Sequence, residues 1–194
     1  MEPRYCLFDT AFGPCGIAWS ARGVVRLQLP ESNRASTERR LKARAGGATP
    51  AEPPMRLGEM IEDIRRYLRG NKVDFAAVPL DAVVDDPFRQ RIYDALRLVP
   101  WGETVTYGEL ARRVGAAGQA REVGQVMGRN PVPIIVPCHR VLAAGNKAGG
   151  FSAYGGTFTK ERLLSLEGVT IGVEPDAPPL PGILTPQRRA ANDA

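Results

Sequence analysis

The chain has only three cysteines and one histidine in 194 residues, and neither charge sign is in strong excess. Cys6, Cys15 and Cys138 form neither an even framework nor a Cys-x-x-Cys clip, which argues against a disulfide scaffold and against a structural zinc site. The thiols are expected to be reduced. No run of about 18 apolar residues occurs, so nothing is predicted to span a membrane. Met1-Glu2-Pro3-Arg4 lacks the basic and apolar regions of a secretory signal, and the expected place is the cytoplasm or the nucleus. A net charge of +5 and a pI near 9.4 permit a nucleic-acid partner without requiring one.

What is present is an ordinary globular composition, 43% apolar with both charge signs dispersed. The length can bury a core in one large domain or two small ones, and two parts are expected. Residues 5–29 predict a hairpin or small meander: Tyr5 to Phe8 and Gly16 to Trp19 are short apolar runs, and Val25, Leu27 and Leu29 alternate with polar residues, one face buried and the other wet. Residues 31–54, rich in charge, Ala and Pro without a clear period, predict a flexible linker or a frayed helix. Leu57, Met60, Ile61, Ile64, Tyr67 and Leu68 recur at helical spacing before Gly70, a helix expected to cover the sheet. A further strand is expected over 73–80, and the first part is placed at residues 1–85.

The second part, 86–171, opens with Asp86 as a cap, Pro87 at the first helical position and an apolar face from Phe88 to Val99. Thr106-Tyr107-Gly108-Glu109 has the form of a capping box for a short helix closed by Gly115. A second short helix is predicted from about Gln119 to Met127. Two such helices joined by a tight turn resemble a helix-turn-helix, a weak signal alone. Arg121 in the first turn of the second helix and Arg129 just past its end are placed to reach phosphates, and Gly124 and Gly128 keep the helix thin; glycines as tolerated defects and solvated arginines are the competing reading. Residues 149–156 form a loop of glycines and aromatics, suited to stack on a planar ligand. A last helix is expected over 160–167, and the tail, 172–194, is expected to be poorly ordered.

Between them, Asn130-Pro131-Val132-Pro133-Ile134-Ile135-Val136-Pro137-Cys138-His139-Arg140-Val141-Leu142 sets the only histidine beside a cysteine at the end of an apolar run. A buried cysteine at the end of a core strand is one reading. The neighbouring base and cation favour the other, a thiol held for reaction, since thiolate forms beside such groups and is opposed by apolar burial.

Three segments in this order and spacing resemble the O6-alkylguanine-DNA alkyltransferases, the methylated-DNA protein-cysteine methyltransferases. They are Val99-Pro100-Trp101-Gly102-Glu103-Thr104-Val105-Thr106-Tyr107-Gly108, Ala120-Arg121-Glu122-Val123-Gly124 and the run from Asn130 to Val141. The resemblance covers roughly residues 5–169 and is most specific over 99–167. It implies an α/β (α+β) fold, with a small sheet-plus-helix N-terminal domain followed by a mainly helical, winged helix-turn-helix-like C-terminal domain. It also implies that Cys138 takes an alkyl group from guanine O6 in one irreversible step, with no cofactor and no metal. His139 would take the thiol proton through a water, Glu167 would orient and charge the imidazole, Asn130 would pin the turn under Cys138, and Tyr107 would donate toward the base N3. The base, flipped from duplex DNA, would meet Val141, Phe151, Ser152, Ala153 and Tyr154. Arg121 would fill the vacated place in the minor groove, with Arg129, Thr106 and Gly124 also on the DNA, and a monomer with weak sequence preference is implied.

The loop after the cysteine departs from the family's Gly-Tyr-Ser-Gly-Gly. Here Gly150-Phe151-Ser152-Ala153-Tyr154-Gly155-Gly156 has Phe for Tyr and is two residues longer, which bears on the range of alkyl groups accepted. Competing functions are a lesion-binding relative without transfer, which lacks the acceptor cysteine; a cysteine hydrolase, which needs a base independent of the nucleophile in sequence; and a plain helix-turn-helix regulator.

Overall fold

The computed structural model describes residues 2–82 and 86–172, so almost all of the tail expected to be poorly ordered lies outside the described residues. The chain begins with an antiparallel meander: β1 (Arg4–Thr10), β2 (Gly13–Trp19) and β3 (Val24–Gln28). β1 and β2 pair from Arg4↔Trp19 to Thr10↔Gly13, and β4 (Thr49–Pro50) joins β1 in parallel to give the order β3-β2-β1-β4.

Neither face of this sheet is wet, contrary to the alternation expected from sequence. Phe8, Cys15, Ile17 and Leu27 enter the main core with α2 (Met55–Leu68), as anticipated for that helix. Tyr5 and Ala18 on the other face pack with Leu41, Ala45 and Ala48. That cover comes from α1 (Arg34–Arg44), which occupies the segment expected to be a linker or a frayed helix. Asn33 caps α1 by accepting from the Ser36 amide at 2.9 Å, and Thr37 and Leu41, one turn apart, are its buried residues. Two inward positions among arginines leave too little apolar periodicity to read. Gly16 sits under this contact: a Cβ there would lie 2.7 Å from the Leu41 side chain and 2.8 Å from that of Leu7.

The strand expected over 73–80 does not form; only Leu80 makes an isolated bridge, to Val24. The carbonyls that would enter a ladder instead accept from one guanidinium, Arg97 donating to Phe75 at 3.1 Å, Ala76 at 2.5 Å and Val78 at 2.7 Å.

The helices of the second part follow their sequence signals closely. α3 (Pro87–Arg97) is capped by Asp86, which accepts from the Phe88 amide at 2.9 Å, and α3 buries Ile92, Tyr93 and Leu96. β5 (Val105–Thr106) leads into α4 (Tyr107–Arg113), and α5 (Ala120–Gly128) follows a turn in which Gly115 and Gly118 have positive φ. Thr106 accepts from the Glu109 amide at 3.1 Å, but the Glu109 carboxylate pairs with Arg113 at 2.6 Å, so only half of the capping box forms. α6 (Thr157–Leu166) starts three residues earlier than the 160–167 expected and ends at Leu166, with Glu167 as its C-cap. One apolar cluster joins β2, β3 and α2 to residues of α3 to α6, running across the 85/86 boundary. Among the described residues no helix is long and apolar enough to cross a membrane.

Leu41 is fully buried, so Leu41→Ala is expected to cost about 2–5 kcal/mol in urea unfolding. Gly16→Ala is expected to be better tolerated in that background than alone, because one of the two crowding methyls, that of Leu41, is then gone and only that of Leu7 has to give. A loss below about 1 kcal/mol for Leu41→Ala would show that α1 does not hold the sheet.

Candidate active site

The apolar run before Cys138 is a buried turn rather than the strand expected. Pro131, Pro133 and Pro137 offer no amide hydrogens to a ladder, and Ile134 stands at φ 73, a left-handed conformation that costs a β-branched residue about 1–3 kcal/mol. Asn130 holds the turn from inside, donating from Nδ2 to the Val136 carbonyl at 2.7 Å and accepting from the Val132 amide at 3.1 Å. The chain leaves it as a short 3-10 turn, Cys138–Arg140, and enters β6 (Val141–Leu142). β6 pairs in parallel with β5, Val105↔Val141 and Thr106↔Leu142, which brings the start of α4 and its Tyr107 beside the cysteine turn.

Cys138 walls two cavities. The larger, about 540 Å³, is lined by Tyr107, Arg121, Gly124, Gly128, Phe151 and Ser152 among others. The smaller, about 30 Å³, lies toward Asn130, Ala153 and the arginines of β3 and α1. Phe151 and Ser152 line both. Gly149 is required where it stands: its φ is +66, and a Cβ would fall 3.0 Å from the Tyr107 ring.

His139 is completely buried and turns its Nε2 to the Glu167 carboxylate, 2.9 Å from Oε1. Three further groups converge on that carboxylate. The Tyr67 hydroxyl donates at 2.6 Å and lies 3.0 Å from His139 Nε2; Arg140 donates from Nε at 2.9 Å and from Nη2 at 2.9 Å; the Gly102 amide donates at 3.2 Å. Arg140 also donates from Nη1 to the Val99 carbonyl at 2.6 Å. Burial alone would raise the Glu167 carboxyl, but the hydrogen bonds from His139 and Arg140 win and bring it down to about 2. Burial pushes the His139 imidazole below its ordinary range against the pull of Glu167. A neutral ring that donates through Nε2 has a basic Nδ1, and this buried nitrogen has no hydrogen-bond partner among the described residues.

Burial also raises the Cys138 thiol, opposed by a hydrogen bond from Asn130 and by the charge of Lys160. Lys160 is buried at the foot of the site and donates to the Val141 and Ala148 carbonyls; desolvation brings it down to about 8, the cysteine's charge acting the other way. The Tyr107 hydroxyl is pushed up, first by burial and then by Cys138, and so stays protonated as a donor.

Of the residues expected from sequence, Cys138, Tyr107, Arg121, Gly124, Phe151 and Ser152 share one cavity, and His139, Glu167 and Asn130 stand directly behind it. Ala153 lines the smaller cavity alone, while Thr106 caps α4. Val141 and Tyr154 line neither: Val141 is buried in β6, and Tyr154 is 55% exposed. Arg129 lines a different cavity altogether. Sequence reasoning missed Tyr67 and Lys160, and it read Arg140 as the cation beside the thiol, whereas its guanidinium holds Glu167 and the charge acting on Cys138 is that of Lys160. A tyrosine on an otherwise apolar helix face was a legible signal, because its buried hydroxyl needs a partner.

Residues 87–169 match the family described as 6-O-methylguanine DNA methyltransferase, DNA binding domain. A methylated-DNA--protein-cysteine methyltransferase of Mycobacterium bovis is 35% identical over 164 residues, 84% of this chain and 92% of that protein. One from Methanothermobacter thermautotrophicus is 33% identical over 156 residues, 80% of each chain. The fold matches the crystal structure of Mycobacterium tuberculosis OGT in complex with DNA with a TM-score of 0.67 and 34% identity, covering 85% of this chain and 93% of that one. Identity at this level over four-fifths or more of both partners, with Cys138 set before a buried His-Glu pair, places the chain in the methylated-DNA--protein-cysteine methyltransferase family.

Proposed function

We propose that this protein repairs O6-alkylguanine in duplex DNA by moving the alkyl group to its own Cys138, once per molecule. The observation that carries this is the shared cavity: Cys138, Tyr107 and Arg121 face one space of about 540 Å³, with a histidine-carboxylate pair behind the sulfur. The cavity is large enough for a purine, and O6 is inaccessible to it while the base remains stacked. The nucleotide therefore has to rotate out, at a cost of a few kcal/mol. Arg121, exposed in the first turn of α5, takes the place of the base from the minor-groove side, and the thin helix surface at Gly124 and Gly128 lets the backbone of the DNA approach.

The chemistry balances without a cofactor. The thiol proton passes through a water to His139 Nδ1, and Glu167 stabilises the imidazolium that forms. The sulfur lone pair then attacks the alkyl carbon, the C–O6 bond breaks as the S–C bond forms, and the guanine leaves with its O6 electron pair. Tyr107 donates toward the base as this charge develops. Burial holds the thiol protonated, and the relay, through its single bridging water, supplies the thiolate once the base is seated. The alkylated cysteine has no route back, so the protein is consumed. Every group in this scheme belongs to one chain, as in a protein that acts as a monomer, and its place is wherever the DNA lies, in the cytoplasm or the nucleus. A lesion-binding role without transfer is disfavoured by Cys138 itself.

Incubation with duplex DNA carrying radiolabelled O6-methylguanine is expected to transfer about one methyl per molecule to the wild type and none to Cys138→Ser; intact, reduced wild type that takes up no label would exclude the function. Arg121→Ala is expected to slow repair in duplex by roughly tenfold or more, matching the flipping cost, while sparing reaction with free O6-benzylguanine. Equal losses on both substrates would remove Arg121 from the flipping step. For the relay, Glu167→Gln takes away the charge that makes His139 basic, so the rate of alkylation by O6-benzylguanine should reach its plateau at higher pH than in the wild type. Tyr67→Phe keeps the ring packing but removes a donor from the carboxylate, which then holds the imidazolium more strongly, so its plateau should move the other way, to lower pH; unchanged pH profiles in both variants would rule the relay out.

A further inference from the structure

A second cavity, of about 450 Å³, lies where the two halves of the chain meet, and its wall is dominated by one kind of side chain: Arg22, Arg26, Arg44, Arg89 and Arg129, with Tyr93 among them. They come from the β2–β3 turn, β3, the end of α1, α3 and the residue after α5. The carboxylate in this wall, Asp81, is already engaged, 2.7 Å from Arg22 and 2.5 Å from the Ser20 hydroxyl. Arg26, Arg44, Arg89 and Arg129 make no ion pair with any described residue. The Nε atoms of Arg26 and Arg89 are moreover shut off from solvent without a hydrogen-bond partner among the described residues.

Such an arrangement costs free energy: like charges repel, and buried donors go unused. Arg26 registers this, brought down to about 10 by burial and then by the charges of Arg44 and Arg40. A ligand that brings negative charge and several acceptor oxygens in one small group would reverse both penalties, and guanidinium forks match phosphate oxygens in geometry.

We propose that Arg26, Arg44, Arg89 and Arg129 form a phosphate-binding site separate from the alkyl-transfer centre. The phosphate belongs either to the DNA backbone, reached past the end of α5, or to a free phosphorylated compound. This site does not depend on alkyl transfer, and the radiolabel experiment on the wild type settles that activity separately.

Titration calorimetry with inorganic pyrophosphate tests the site in the wild type, in Arg44→Gln/Arg89→Gln, and in Arg56→Gln/Arg69→Gln, which removes the same charge from α2 and its C-cap. Binding to the wild type and the α2 pair, at least tenfold weaker in the Arg44/Arg89 pair, is the expected result. No binding to the wild type, or equal weakening in both pairs, would overturn it. Arg44→Gln alone, at the exposed end of α1, carries the comparison if the double variant fails to fold. Undamaged-duplex affinity against salt then identifies the source. A backbone phosphate lowers the slope of log Kobs against log salt by about 0.9 in the Arg44/Arg89 pair alone, and a free phosphate compound leaves the slope unchanged.

Discussion

The buried carboxylate of Glu167 is the point on which the functional half of the molecule depends. It receives hydrogen bonds from the Tyr67 hydroxyl, the Arg140 guanidinium and the Gly102 amide, and faces Nε2 of His139. These partners come from α2, the cysteine turn and the segment ahead of β5, so one charge ties together elements distant in sequence. An isolated carboxylate could not remain ionised there; with Arg140 in two-pronged contact it does, and the same charge fixes the imidazole's orientation and tautomer. Loss of Glu167 would leave Arg140 buried without its counterion and His139 without its carboxylate partner.

The second constraint is the proline-rich turn. A strand would run Cys138 past the cavity; a turn pinned by Asn130 stops the chain and presents the sulfur at the wall. The strain at Ile134 is held by burial on every side, since Val132, Ile134, Ile135 and Val136 are all within the core. The rigidity of the core is thus transferred to the nucleophile, while the 149–156 loop, thinned by Gly149 against Tyr107, shapes the opposite wall.

Much of this was legible in the chain because its signals are local. Asp86 and Thr106 announce helix starts by their own side-chain chemistry, and the cysteine, histidine and asparagine of the turn lie within ten residues of one another. What escaped is set by contacts across the fold. α1 has only Thr37 and Leu41 turned inward, so its helical period is hidden among arginines, and with α1 unseen the second face of the sheet looked solvated. The 73–80 segment has strand-like composition, but Arg97 claims its carbonyls from α3. The buried hydroxyl of Tyr67 calls for a partner, but nothing local in the chain says that the partner lies 100 residues away. Arg129 lies at the right distance along α5 to accompany Arg121, yet it faces another cavity, because its neighbours there are supplied by β3 and α3.

The solitary histidine has one more consequence. With no imidazole on the surface and the buried one pushed below its ordinary range, the molecule takes up no proton at an exposed ring as the medium passes from weakly alkaline to weakly acidic. Within that interval a lone imidazole resonance in a magnetic-resonance spectrum would come from the interior of the reaction centre, without overlap from any other ring of its kind.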